Sequence, residues 1–199
     1  MEKRCFRMGV SNQFTLSGKK LTKGFIISQS YWGHNKQTLS SSISPHVFGI
    51  KNDFVIFNPS HFVEYSKRIS VFCSNVILNN GNILFISFGA DYKKISVFFG
   101  SRSLQSIHIN KWVGGSITNN FLKKPCIIVT PVIPKDSFVL KEASKKLIPI
   151  ITIEDSDYIL HKGFYSSFGN DNNKESVSYF YTILSESILK SLLFSYIKK

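Results

Sequence analysis

The amino-acid sequence predicts an α/β fold, a doubly wound, mostly parallel sheet of about five strands with a basic N-terminal arm. Three observations carry that prediction. The β-rich runs are continuously apolar instead of alternating, as in strands buried on both faces. Segments with apolar residues at helical spacing stand between them, as parallel crossovers require. Turn residues mark the boundaries between the two kinds of segment.

Asp53-Phe54-Val55-Ile56-Phe57-Asn58 is the first run, ended by Pro59. Phe62, Tyr65, Ile69, Phe72, Cys73 and Val76 then share one helical face, and Asn79-Asn80-Gly81 stops that helix. Asn82 to Phe88 reads as the second strand, Ala90 to Phe99 as a short helix, and Ser106-Ile107-His108-Ile109 as the third strand. Cys126 to Thr130, between Pro125 and Pro131, is the fourth. Pro134 suits the first turn of a helix that carries Val139, Ala143 and Leu147. Ile148 to Ile153 is the fifth strand, and a last helix from about Lys174 to Tyr196 aligns Val177, Tyr181, Leu184, Ile188 and Leu192. With 199 residues there is room for one domain with a substantial core and little for a second. Residues 25–199 are therefore read as a single α/β domain and residues 1–24 as a basic extension or arm.

The chain carries 25 Lys+Arg against 12 Asp+Glu, a net charge of +13, with 43% hydrophobic residues. It is too apolar for a disordered polyelectrolyte. A folded domain this basic presents a surface that something anionic covers: nucleic acid, an acidic protein or an anionic membrane. Residues 1–51 hold eight basic residues and one acid, whereas residues 153–199 hold five and six. The anion-binding surface is thus expected in the first two thirds of the chain, and RNA is the favoured partner. Only Arg4, Arg7, Arg68 and Arg102 are arginines. Lysine holds phosphates as a point charge but lacks the fork with which arginine reads bases. The Lys, Ile, Phe, Asn and Ser bias is also what an A+T-rich gene encodes, as in an organellar genome.

Cys5, Cys73 and Cys126 lie far apart, which fits a reducing compartment and buried thiols. No apolar run reaches 18 residues, so no membrane-spanning helix is expected. Residues 1–24 suit either a mitochondrial presequence or a basic RNA-binding arm.

An enzyme is the natural rival reading of such a sheet, specifically a nucleotide-binding α/β enzyme acting on RNA. Its parts are missing. Ser87-Phe88-Gly89-Ala90 puts one glycine and a bulky Phe where a phosphate loop would lie, and neither G-x-G-x-x-G nor G-K-[ST] occurs. Glu154, Asp155 and Asp157 follow the fifth strand, but no second acidic cluster accompanies them, so they are read as capping a turn or facing solvent. His34, His46, His61, His108 and His161 have no zinc-ligand spacing. No catalytic residue, metal, cofactor or small-molecule substrate is expected.

Two segments exceed what a plain scaffold needs. Tyr31-Trp32-Gly33-His34-Asn35-Lys36-Gln37-Thr38 and Lys111-Trp112-Val113-Gly114-Gly115-Ser116-Ile117-Thr118-Asn119 each join aromatic, glycine and basic residues. Such loops let backbone approach a phosphate while rings stack or pack nearby. The plainer reading of each is a turn with a buried Trp.

Together these segments resemble the family of small-subunit ribosomal protein two, of bacterial and organellar type. Tyr31-Trp32-Gly33-His34 followed by Pro45 and Phe48-Gly49 is similar to the family's N-terminal motif, and Lys111 to Asn119 to its basic-Trp-Leu-Gly-Gly-x-Leu-Thr-Asn motif. Val55 to Asn58 and Gly81 to Ile86 look like its first strands. Glu142-Ala143, Ile148-Pro149, Asp155 and Gly169-Asn170-Asp171 look like its later elements. The resemblance covers roughly residues 24 to 190 in the same order. It implies a Rossmann-like scaffold that catalyses nothing. Such a protein holds ribosomal RNA and neighbouring ribosomal proteins on the outer side of the small subunit, near the messenger exit. Candidate contacts to phosphate and sugar are Lys19, Lys20, Lys23, His34, Lys36, Lys111 and Asn119, with Trp32 and Trp112 packing or stacking behind them. Two departures stand out. Only residues 120–124 separate Asn119 from Pro125, where the family inserts a long helical hairpin, and Gln37, Ser42 and Ser44 stand at basic positions of the family. A reduced, A+T-biased version of this protein points to a mitochondrial ribosome in the matrix, with a plastid as the alternative.

Overall fold

In a computed structural model of the chain, residues 15–88, 90–108, 111–119, 124–134, 137–157 and 163–197 are described. The elements are α1 (Gly18–Ile27), β1 (Trp32–Asn35), β2 (Val47–Lys51), β3 (Phe54–Phe57), α2 (Pro59–Leu78), β4 (Ile83–Ile86), α3 (Ala90–Arg102), β5 (Ser106–His108), β6 (Ile127–Val129), α4 (Phe138–Lys146), β7 (Ile150–Glu154), β8 (Tyr165–Phe168) and α5 (Lys174–Ile197). Five strands form a parallel sheet in the order β5-β4-β6-β7-β8. The chain starts this sheet at β4, places β5 on one side and returns to lay down β6, β7 and β8 on the other. That reversal is the switch point of a doubly wound sheet.

The continuously apolar strands are buried on both faces, as expected. Ile83 and Phe85 of β4, Ile127 and Val129 of β6, and Ile151 and Ile153 of β7 meet Ile69, Cys73 and Ile77 of α2. Phe99 of α3 and Val177, Tyr181, Leu184 and Ile188 of α5 close the same layer. The intervening Leu84, Ile86, Ile128 and Ile150 point the other way, onto Val139 and Ala143 of α4, with Ile117 and Ile133. Burying a large aliphatic side chain contributes roughly 1.5–3 kcal/mol, so these two layers dominate the stability.

Two sheet assignments differ from expectation. Phe54–Phe57 is a strand, but it lies at the centre of a separate three-stranded antiparallel sheet, β1-β3-β2. An apolar run reports burial and does not say which strands it pairs with. The fifth place in the parallel sheet goes instead to Tyr165–Phe168, whose two serines conceal it in the sequence although both are buried. Between β2 and β3, Asn52 and Asp53 have φ of 49° and 65°. Two successive left-handed residues make the tight hairpin turn that suits strand twist.

Helix ends follow local chemistry. Asn58 caps α2 by accepting the Ser60 N–H, with Pro59 at the first helical position. Pro134 was expected in the first turn of the next helix, yet α4 starts at Phe138. Ser137 is its cap, accepting the Val139 N–H at 3.2 Å. A hydroxyl cap wins over a proline three residues upstream because it satisfies an otherwise orphaned N–H.

Candidate nucleic-acid interface

Of the expected arm, residues 1–14 lie outside the described residues, and residues 18–24 belong to α1. Leu21 and Phe25, four apart, are buried against Phe57, Phe62 of α2 and Ile183 of α5. Lys19, Lys20 and Lys23 are exposed. This is the one-sided pattern of a surface helix, which docks through its apolar stripe and leaves its lysines to solvent.

Trp32 and His34 sit on β1, and Lys36 opens the turn after it. Trp32 is half-buried, its ring centroid 5.3 Å from Tyr31 and 6.2 Å, edge-on, from Phe54. Lys36 Nζ lies 2.7 Å from Asp53 Oδ1, and both side chains are at least half exposed. An exposed pair of this kind is worth roughly 0–1 kcal/mol and is easily exchanged for a phosphate.

His34 ties β1 to the carboxyl end of β7. Its backbone N–H donates to Ser156 Oγ at 2.7 Å, and Nδ1 lies 3.1 Å from Asp155 Oδ1 and 4.0 Å from Asp157 Oδ1. On the other side of the ring, the Asn172 side-chain amide is 2.9 Å from Nε2. The contact with Asp155 dominates the imidazole's pKa and raises it, and partial burial opposes the rise. The fields of Asp155, Asp157 and Asp171 add to it, pushing the ring up to about 9. The carboxylates around the ring thus favour its protonated form.

Asp155 is 1% exposed, not solvent-facing. It does hold its turn, accepting the Ser156 N–H at 2.6 Å, but its principal partner is His34, 121 positions earlier, which local sequence cannot reveal. Glu154 is also buried and accepts the Ser166 hydroxyl at 2.6 Å. Among the described residues, no group of three or more His, Cys, Asp or Glu is arranged to hold a metal ion.

Lys111, Trp112 and Asn119 lie in the segment that follows β5. One carboxylate organises it, and sequence reasoning gave that residue no role. Glu142 on α4 is 6% exposed. Its Oε1 accepts Trp112 Nε1–H at 3.0 Å and Gly115 N–H at 2.8 Å; its Oε2 accepts the N–H groups of Ile117 at 2.8 Å and Thr118 at 3.2 Å. Burial pushes its pKa up. The four donors, Ile117 first, outweigh that and hold the carboxyl below the usual range. Gly115, at φ +93°, permits the turn, and a Cβ there would meet Asn119 Nδ2 at 2.7 Å. Trp112 is half-buried against the α4-side core, so it anchors the turn, whereas Lys111, Val113 and Asn119 are exposed.

The β1 and Gly-Gly segments thus both lie along the carboxyl edge of the parallel sheet, where doubly wound folds bind ligands. At that edge Phe88 packs against the same core as Trp112. A cavity of about 580 Å³ lies at the other end of β7, lined by Phe72, Leu140, Leu147, Pro149 and Phe164. No helix among the described residues is long and apolar enough to cross a membrane. Residues 120–123, where the helical hairpin was expected to be missing, lie outside the described residues.

Comparison with known proteins gives a consistent picture. The family model described as ribosomal protein S2 matches residues 25–124. The small ribosomal subunit protein uS2 of Ehrlichia canis (strain Jake) is 22% identical over 218 residues, covering 85% of this chain and 75% of its own length. That of Orientia tsutsugamushi (strain Boryong) is 22% identical over 236 residues, covering 93% and 80%.

Proposed function

This chain belongs to the ribosomal protein S2 family, and from that premise we propose that it is a structural constituent of the small ribosomal subunit of an organelle, binding ribosomal RNA and neighbouring ribosomal proteins. The observation that carries this reading is the family match over residues 25–124, which spans both aromatic-glycine segments. The charge of the chain agrees with it, since an excess of 13 positive charges on a folded domain needs an anionic partner.

Within that reading Lys19, Lys20, Lys23, Lys36 and Lys111 hold phosphates. Asn119 contacts sugar or phosphate from the Gly-Gly turn. His34 supplies a fixed positive charge behind β1, Trp32 lies at the surface of the small sheet, and Trp112 packs behind its turn. No reaction is catalysed, because the parallel sheet serves as scaffold. The organelle is a mitochondrion, with a plastid as the alternative; the Lys, Ile, Phe, Asn and Ser bias supports both.

Binding that rests on lysine–phosphate contacts releases counterions. The affinity of the purified chain for small-subunit ribosomal RNA should therefore fall with salt, with a log–log slope of roughly −0.7 to −0.9 per contact. A flat profile from low to moderate ionic strength would exclude RNA binding through these lysines.

A further inference from the structure

We propose that the outward face of the three-stranded antiparallel sheet is a stacking platform for unpaired RNA bases. The inference rests on the RNA-binding reading above and goes further, because it assigns a face, a ligand class and residues that phosphate binding does not use.

In an antiparallel ladder, residues directly opposite one another project to the same side. Trp32 and Gly49 both oppose Ile56, and Lys51 opposes Phe54. Phe54 and Ile56, two apart on β3, share that side as well. The intervening Val55 and Phe57 are each 0% exposed and form the inner face. A solvated sheet face is normally polar. This one carries Trp32, Phe54 and Ile56, with Phe54 47% exposed. Phe48, at the irregularity in β2, is 73% exposed beside it.

At Gly49, which shares this side with Trp32 and Ile56, an added Cβ would meet nothing within 4 Å apart from its chain neighbours, so the face is open there. Trp32 and Phe54 stand edge to face at 6.2 Å and fix each other's orientation. The rim carries a net positive charge: Lys51 and Lys36 are exposed beside one acid, Asp53, which pairs with Lys36 and leaves the charge of Lys51 uncompensated. Exposed rings on a flat strand floor with lysines at the border match a single strand, whose bases stack while its phosphates meet the lysines. Sequence-tolerant stacking also suits a chain poor in arginine.

The test uses the full-length chain and two probes, a single-stranded RNA of about 12 nucleotides and a blunt RNA duplex of similar length. Phe48→Ser combined with Phe54→Ser removes one exposed ring and one half-exposed ring, so the lost Trp32–Phe54 contact should lower Tm by no more than about 6 °C, and an unchanged far-UV circular dichroism spectrum verifies the fold. Loss of even one stacked base should weaken single-strand binding by roughly fivefold or more, while duplex affinity, set by lysines, changes by less than about twofold. Phe48→Tyr with Phe54→Tyr should restore single-strand binding. If the serine variant bound the single strand as tightly as the unaltered chain, the platform would be refuted while RNA binding stood. If it kept single-strand affinity but failed to enter small subunits, the face would dock a protein and the inference would fall. An unaltered chain that bound neither probe would overturn the RNA-binding reading itself.

Discussion

Replacing Glu142 by Gln isolates one atom-level question: whether a single carboxylate holds the Gly-Gly segment in shape. The two side chains are nearly isosteric, so packing against α4 is preserved. In the native protein Oε1 and Oε2 each accept two N–H donors, at distances from 2.8 to 3.2 Å. An amide keeps one acceptor oxygen and turns an NH2 group toward the other two donors. Either orientation strands a pair, Trp112 Nε1–H with Gly115 N–H or Ile117 N–H with Thr118 N–H. Each buried donor left without an acceptor costs roughly 1–3 kcal/mol. The expected loss is therefore about 2–6 kcal/mol, a large share of the roughly 5–15 kcal/mol by which domains are stable. At this chain length that corresponds to a Tm lower by on the order of 10 °C. Urea unfolding followed by far-UV circular dichroism should show a lower midpoint with an unchanged slope. A shift below about 1 kcal/mol would show that the four contacts are not organising the turn.

Three further outcomes follow from the same geometry. His34 has its pKa raised from the ordinary 6.5 to about 9, so its stabilising contribution is complete below pH 6.5 and is lost as pH rises through about 9. Unfolding measured from pH 6 to 10 should show that loss in the unaltered chain and not in His34→Gln; parallel pH profiles would contradict it. Asp155→Asn should destabilise the protein by roughly 1–3 kcal/mol, because a buried acceptor loses its charge, whereas Asp157→Asn, at 4.0 Å and partly exposed, should stay within about 0.5 kcal/mol. Equal effects in thermal melts would mean the pairing with His34 is immaterial. Lys36→Glu with Lys111→Glu should leave the fold intact, each costing no more than about 0.5 kcal/mol, yet weaken incorporation into small subunits; assembly at the native level would remove both lysines from the RNA face.

The parallel sheet was legible because β4, β6 and β7 are buried on both sides, and continuous apolar runs are the direct mark of that environment. β8 was not, since Tyr165-Ser166-Ser167-Phe168 earns its burial from neighbours and not from its own hydrophobicity. The antiparallel sheet did carry a signal, the Asn52-Asp53 pair between two β-rich runs, which marks a two-residue hairpin and would have moved Phe54–Phe57 out of the parallel sheet. The two aromatic-glycine segments stood out by composition. What organises them did not: Glu142 reaches Trp112 across 30 positions and Asp155 reaches His34 across 121. Nothing in the local pattern around either acid distinguishes it from a solvated carboxylate, because its partner is supplied by the fold.

The most direct test of the central claim is sedimentation of ribosomes carrying this chain through a sucrose gradient after a high-salt wash, with the chain detected by antibody or mass spectrometry. A structural constituent of the small subunit should co-migrate with small-subunit RNA in constant proportion to other small-subunit proteins and appear with the whole ribosome when subunits are joined. A chain found chiefly at the top of the gradient, free of RNA at moderate salt, would contradict the account.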